Sequence, residues 1–123
     1  MSEQGQSTSY PPFQVLTCEV VDAVCTLTMN RPERRNALSG AMLKGLDIAL
    51  ADAERSPDVG CIVLAGAGGA FCSGGDIKGM AESHAGEGSK LSLDERIHAQ
   101  RLAQRNTAGR LYSMPKPTIA ALP

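Results

Sequence analysis

A glycine-rich stretch over residues 64–80, LAGAGGAFCSGGDIKGM, constrains the fold of this chain more than any other feature. Six of the chain's 13 glycines lie in it. Because glycine has no Cβ, such a run lets bare backbone approach a bound group closely. The apolar run 61–65 precedes it and predicts a short strand buried on both faces. The glycines therefore follow the carboxyl end of a strand, where α/β sheets place their ligands.

The residues before the loop predict a hairpin. Residues 15–21 and 24–29 are apolar and rich in β-branched side chains, which is typical of strands, and Asp22-Ala23 can turn the chain between them. Residues 1–13 are polar, carry no basic residue and resemble neither a signal peptide nor a transit peptide. We expect them to form a short disordered lead before a domain over residues 14–123.

A helix is predicted between the hairpin and the buried strand. Pro32 marks a loop, Ser39 is a plausible N-cap, and apolar residues then recur at steps of three and four to about Arg55. The stripe consists of Met42, Leu43, Leu46, Ala49, Leu50 and Ala53. Strand, helix and strand in this order favour a βαβ unit with parallel pairing, and thus an α/β fold.

The chain after the glycines alternates between loop and helix. Residues 77–82 can start a short helix, and residues 83–90 have the composition of a mobile loop. Ser92 and Glu95 form a capping box, so a second helix is predicted from there to Tyr112. Four arginines make this helix basic, which indicates either a solvated face or a role near an anionic ligand or partner. They are Arg96, Arg101, Arg105 and Arg110.

The chain closes on PTIAALP, which predicts a buried strand entering its next loop. A parallel strand needs a covering helix, so we expect the chain to be the front part of a longer protein.

Composition excludes several functions. The net charge of −1 and the scarcity of aromatic residues argue against nucleic-acid binding. No apolar run approaches the roughly 18 residues of a membrane span. The four cysteines predict small buried side chains in a reducing, cytoplasmic setting, and His84 and His98 lie too far from them to complete a zinc site. We therefore predict no metal.

Known nucleotide-binding patterns do not fit the glycine loop. GxGxxG from Gly66 meets Phe71 at its third glycine, and a phosphate loop from Gly69 meets Gly75 and Asp76 where Lys and Ser or Thr belong. The other use of bare N–H groups is an oxyanion hole, which stabilises a developing enolate or alkoxide. Gly74-Gly75 can present such donors, with Phe71 as an apolar anchor and Asp76 fixing the turn or capping a helix at Ile77.

Three blocks in order resemble the crotonase family of enoyl-CoA hydratases and isomerases. They are NRPERRNAL, GAGGAFCSGGDIKGM and MPKPTIAAL, and the resemblance covers residues 14–123. It implies the N-terminal half of an α/β spiral of repeated ββα turns. It also implies an acyl-CoA substrate, with coenzyme A as part of the substrate and no separate cofactor, a place in fatty acid metabolism, and a homotrimer or hexamer at full length.

The resemblance also implies roles for individual residues. Gly75 resembles the first of two backbone N–H donors to the thioester oxygen. Ser73, Gly75 and Ile77 resemble positions that hold the adenine of coenzyme A, with Lys78 beside them. Arg35 and Ala37 resemble the segment along the phosphates and pantetheine, although Arg35 also fits a solvated loop charge. Asp76 would shape the loop and transfer no proton.

The second donor and the carboxylates of the family follow the Lys-Pro strand, whose last matching residues here are Lys116 and Pro117. No general acid or base is therefore assigned, and four acidic residues without motif support are expected to be surface charges. They are Asp22, Asp47, Glu54 and Glu82. Hydration or isomerisation of an enoyl-CoA is the expected activity. Another family reaction (hydrolase, dehalogenase or decarboxylase), a non-catalytic coenzyme A-binding protein and an inactive truncated product remain alternatives.

Overall fold

The computed structural model describes residues 6–10, 13–75 and 92–123, with side chains from residue 14. A five-stranded sheet in the order β1-β2-β3-β4-β5 carries one long helix, α1. The strands are β1 Gln6–Tyr10, β2 Phe13–Val21, β3 Val24–Met29, β4 Cys61–Gly66 and β5 Thr118–Ala121. The helices are a 3₁₀ turn Pro32–Arg34, α1 Gly40–Arg55, α2 Leu93–Gln104, a π turn Arg105–Gly109 and α3 Arg110–Ser113.

The predicted hairpin is confirmed. Strands β2 and β3 pair antiparallel up to Val21 and Val24. Asp22 and Ala23 between them have φ of 51° and 67°. Two consecutive left-handed residues have the twist that a two-residue hairpin favours.

The expectation of a disordered lead is wrong over Gln6–Tyr10. These residues form β1, which pairs antiparallel with β2 so that Gln6 lies opposite Val20. The free edge of β2 explains the difference. Its unpaired N–H and C=O groups can form hydrogen bonds with an extended segment laid beside it. Residues 1–5 and 11–12 lie outside the described part of the chain.

Helix α1 begins where the sequence predicts, since Ser39 Oγ accepts a hydrogen bond from the Met42 N–H at 3.2 Å. Its buried face packs on the sheet through Met42, Leu46, Ala49, Leu50 and Ala53. Their partners across the core include Leu16, Leu27, Met29 and Ile62. Of the predicted apolar stripe, only Leu43 lies outside the buried core; it is half-buried.

The βαβ unit is confirmed, since β3 and β4 pair parallel on either side of α1. The predicted burial of β4 on both faces is wrong: Ile62 is buried, whereas Cys61 and Val63 are half-buried. Side chains of a strand alternate between the two faces, and α1 covers only one of them. The predicted buried strand near the end is also wrong, because β5 is an edge strand that leaves Ile119 53% exposed.

The second predicted helix begins at the predicted capping box. The Glu95 N–H donates to Ser92 Oγ, and Glu95 Oε1 accepts from the Ser92 N–H. The helix reaches Ser113, one residue beyond the prediction, and contains a π turn that periodicity did not indicate. Within this turn the Thr107 hydroxyl donates to the Ala103 carbonyl at 2.7 Å.

The cysteine prediction is confirmed for two of the four thiols. Cys18 and Cys25 are buried, whereas Cys61 and Cys72 are half-buried, and no disulfide joins any of the four. The Sγ atoms of Cys18 and Cys25 are 3.5 Å apart. This contact with Cys18, together with burial, raises the pKa of the Cys25 thiol above its ordinary range. These buried thiols are therefore packing groups, as inert cysteines are.

Candidate active site: the glycine loop and its cavity

The buried amide of Asn36 joins the two loops from which the site is built. Its Oδ1 accepts from the Arg31 N–H at 2.7 Å. Its Nδ2 donates to the carbonyls of Ala67 and Ala70 at 3.0 and 2.9 Å. Since Asn36 is 0% exposed, its amide has no access to water, and these three bonds satisfy it. Asn36 thus holds the NRPERRNAL loop against the glycine-rich loop.

Two glycines of the loop are there for packing. A Cβ on Gly66 would collide with the carbonyl oxygens of Ala70 and Phe71. A Cβ on Gly68 would collide with Pro32, and Gly68 also has a positive φ of 78°. Gly66 and Gly68 therefore allow the two loops to meet, whereas Gly69 and Gly74 have open space around them.

The end of the glycine loop runs alongside residues 35–38. Ser73 N–H donates to the Arg35 carbonyl at 3.0 Å, and Leu38 N–H donates to the Gly74 carbonyl at 2.7 Å. Leu38 and Gly75 form a parallel bridge. Because a trans peptide holds its C=O and N–H in opposite directions, the Gly75 N–H points away from Leu38. This donor is not used by the bridge.

The structure places four of the predicted site residues side by side. Arg35 and Ser73 are exposed, Ala37 is buried, and Gly75 is exposed at the end of the loop. Ser73 uses its N–H within the loop pair, so it can offer a ligand only its carbonyl and hydroxyl. Ala37 can contribute only through its backbone, because its side chain is 7% exposed. The predicted residues Asp76, Ile77 and Lys78 lie outside the described residues.

A cavity of about 810 Å³ opens beside Gly75. Leu38 and Leu43 line it together with Gly75 on one side. The other side is formed by α2 and the π turn, through Gln100, Arg101, Gln104 and Arg105. The volume lies within the range of small-molecule sites. The sequence left the arginines of this helix open between a solvated face and a role near an anionic ligand, and it did not indicate that Arg101 and Arg105 share a cavity with Gly75.

Arg110 differs from the two arginines of the cavity. Its guanidinium contacts Glu54 Oε1 at 3.0 Å and Asp47 Oδ1 at 3.8 Å. These carboxylates join α1 to α3, so the expectation of plain surface charges is wrong for Asp47 and Glu54. It is confirmed for Asp22, which is exposed in the hairpin turn, whereas Glu82 lies outside the described residues.

Arg101 and Arg105 have no carboxylate partner among residues 14–75 and 92–123. Within the same residues, no three His, Cys, Asp or Glu side chains cluster as metal ligands would. None of the helices described is long and apolar enough to cross a membrane.

Comparison with known proteins identifies the family. Residues 19–123 match the profile of the enoyl-CoA hydratase/isomerase family. An enoyl-CoA hydratase of Mycobacterium tuberculosis is 36% identical over 96 residues, 76% of this chain and 36% of that protein. The mitochondrial 3-hydroxyisobutyryl-CoA hydrolase of Rattus norvegicus is 46% identical over 69 residues, 55% of this chain and 18% of that protein.

Comparison with solved structures supports the same family. An enoyl-CoA hydratase/isomerase from Xanthobacter autotrophicus Py2 superposes with a TM-score of 0.74 at 35% identity, over 94% of this chain and 39% of that one. The chain belongs to the enoyl-CoA hydratase/isomerase family. Its architecture is part of the crotonase fold, and it spans well under half the length of these relatives.

Proposed function

We propose that the protein acts on an acyl-CoA thioester and that the Gly75 N–H donates a hydrogen bond to the thioester oxygen. One observation carries this proposal: the Gly75 N–H points away from Leu38, while Gly75 lines the cavity of about 810 Å³. A backbone donor in such a site stabilises the negative charge that develops when the thioester becomes an enolate. The donor is held in place before the reaction, so little reorganisation is needed.

The reaction proposed is hydration or isomerisation of an enoyl-CoA. Both reactions place negative charge on the thioester oxygen, so both benefit from the same donor. In this chain Asp47 and Glu54 are bound to Arg110, which leaves them unsuited to moving a proton in the cavity. The general acid and base are therefore not assigned to any described residue.

The coenzyme A moiety is proposed to lie along the paired segments 35–38 and 73–75. The exposed guanidinium of Arg35 can meet a phosphate there, since guanidinium groups bind phosphate through two parallel hydrogen bonds. Ile77 and Lys78 stay predictions for the adenine end, and Asp76 stays a prediction for the shape of the loop. A trimeric or hexameric assembly and a cytoplasmic location also stay proposals.

Thioester hydrolysis is a second candidate, favoured by the 46% identity to the rat 3-hydroxyisobutyryl-CoA hydrolase. Hydrolysis would use the same oxyanion donor as hydration, but its products would be a free acid and coenzyme A. Release of free coenzyme A thiol from the acyl-CoA would favour the hydrolase; retention of the thioester with loss of the double-bond absorbance would favour the hydratase.

The test of the donor is Gly75→Pro in the full-length protein, because proline lacks the N–H. Losing one oxyanion donor costs on the order of 10²–10³ in kcat, or about 3–4 kcal/mol. We expect that loss with a much smaller change in acyl-CoA affinity, since the bond strengthens in the transition state.

Gly75→Ala is the matched control because it changes the same residue and keeps the N–H. A variant at Gly74 would be a poorer control, since Gly74 has a φ of 101° that strains any other residue. A Gly75→Pro protein that is folded by circular dichroism and retains near-normal kcat would remove Gly75 from the mechanism.

A further inference from the structure

We propose that the cavity selects acyl-CoA thioesters whose acyl chain ends in a carboxylate, and that Arg101 and Arg105 bind that carboxylate. The inference rests on the proposed function, because it takes the thioester to be bound at Gly75. It adds the chemical class of the acyl chain.

The first observation is the position of the two guanidinium groups. Arg101 and Arg105 line the same cavity as Gly75. They lie four residues apart, Arg101 on α2 and Arg105 at the start of the π turn, so they are neighbours on one face of the helix. A ligand held at Gly75 would extend along this face.

The second observation is the uncompensated charge. Like charges at this spacing repel each other and weaken a helix. The described carboxylates that could relieve the repulsion are engaged elsewhere: Asp47 and Glu54 with Arg110, and Asp52 with Arg55. An anion in the cavity would remove the repulsion, which makes a negatively charged ligand more favourable here than a neutral one.

The chemistry of the wall narrows the anion to a carboxylate at the distal end of the acyl chain. A planar guanidinium matches the two oxygens of a carboxylate, and the amides of Gln100 and Gln104 on the same wall can donate further hydrogen bonds. A purely apolar chain would make none of these bonds, and the two exposed guanidinium groups would stay hydrated beside it. Selectivity therefore comes from the attraction of the two guanidinium groups for a carboxylate, which an apolar acyl chain lacks.

The phosphates of coenzyme A are the other source of negative charge. Arg35 lies exposed beside Ser73 on the paired loops, whereas Arg101 and Arg105 share the cavity with Gly75, where the reacting end of the thioester would be bound. We therefore assign the two arginines to the acyl chain.

The test is the affinity of the full-length protein for glutaryl-CoA, butyryl-CoA and free coenzyme A, measured by isothermal titration calorimetry. None of the three can be hydrated, so binding is read without hydratase turnover, and an assay for free thiol checks that neither acyl-CoA is hydrolysed. We expect the wild-type protein to prefer glutaryl-CoA. Arg105→Leu should lower its affinity for glutaryl-CoA by roughly 10- to 100-fold, the loss of hydrogen bonds to a charged group, and leave butyryl-CoA within about twofold.

Arg101→Leu should act in the same direction. Arg96→Leu is the matched control, because it removes the same charge from an exposed position of α2 outside the cavity. We expect it to change none of the three affinities. All sites are on exposed helix, where leucine is a good helix former, and circular dichroism checks the fold.

The outcomes separate this inference from the proposed function. Equal losses for all three ligands in Arg105→Leu would mean that the arginine binds phosphate and would overturn the inference. A wild-type protein that binds butyryl-CoA as tightly as glutaryl-CoA would also overturn the inference, although the proposed function would then stand. A wild-type protein that binds neither acyl-CoA would overturn both.

Discussion

The side-chain amide of Asn36 holds the glycine loop in place through bonds to backbone 31 and 34 residues away. The left-handed φ of 55° at this position is one that asparagine tolerates well. Asn36 belongs to the motif that indicates the family, yet the sequence assigned it no role. Its partners are carbonyl groups, which every residue has, so no pattern of side chains reveals them.

Asn36→Asp tests this role at the scale of the residue. A carboxylate cannot donate to the carbonyls of Ala67 and Ala70, and leaving buried groups unsatisfied costs about 1–3 kcal/mol each. We expect the free energy of unfolding in urea to fall by roughly 2–4 kcal/mol, with weaker acyl-CoA binding because the loop loses its anchor.

The matched control is Asn30→Asp, the same chemical change at an exposed position. It should alter the unfolding free energy little, as surface substitutions do. If Asn36→Asp unfolded at the same urea concentration as the control, the anchoring role of Asn36 would be wrong.

At the scale of the element, Arg110 lies on a different face of the helix from Arg101 and Arg105, and a π turn lies between them. A π turn adds one residue to a helical turn, and each residue rotates an α-helix by about 100°. Positions after Arg105–Gly109 are therefore rotated relative to those before it. Arg110 points to α1, whereas Arg101 and Arg105 line the cavity. At 100° per residue Arg110 lies about 140° from Arg105, so helical spacing already separates it from the two arginines of the cavity.

Lys116 joins α1 to β5 and explains the lysine of the Lys-Pro motif. Its Nζ donates to the carbonyls of Ala53 and Ser56 at 2.7 and 2.6 Å, at the carboxyl end of α1. A cation is favourable there, because the last carbonyls of a helix carry partial negative charge. The Pro117 carbonyl accepts from the Ile62 N–H at 2.9 Å, so the next residue attaches β5 to β4.

Lys116→Met keeps the side-chain stem and removes the ammonium group. We expect a loss of about 1.5–3 kcal/mol in the free energy of unfolding, the range for hydrogen bonds to a charged group. Lys44→Met, on the exposed side of α1, is the control and should change it little. A urea midpoint of Lys116→Met equal to that of Lys44→Met would contradict the capping role.

The sheet of the whole molecule carries apolar side chains on a face that α1 does not cover. Val63 and Ile119 pair across β4 and β5, half-buried and 53% exposed respectively. The carboxylates of Asp47 and Glu54 contact Arg110 and do not line the cavity. The residues that the structure describes therefore present one candidate donor, no assigned acid or base, and an exposed apolar sheet edge of the kind that associates.

We expect the 123 residues alone to be poorly soluble and unable to hydrate crotonyl-CoA. Loss of the enoyl absorbance in the presence of the purified chain measures this. A buffer blank and the full-length protein assayed under the same conditions set the two limits. Robust turnover by the isolated chain would show that an acid or base is present among its own residues.

The amino-acid sequence by itself determined the local structure and the family. The hairpin at Asp22-Ala23, the start of α1 at Ser39 and the capping box at Ser92 follow from residues within one turn of each other. Such signals come from near neighbours in the sequence and can therefore be read without the tertiary structure. Family motifs also led to residues 35–37 and 73–75, which the structure places side by side; their roles stay predictions.

Only the tertiary structure decided what depends on distant neighbours. The burial of β4 and β5 depends on whether another element covers each face of these strands. The apolar residues of a strand do not reveal this. The addition of β1 depends on a vacant edge of β2. The partners of Asn36 are backbone carbonyls of a distant loop, and the carboxylates that bind Arg110 lie on another helix. Neither set of partners leaves a periodic mark in the sequence.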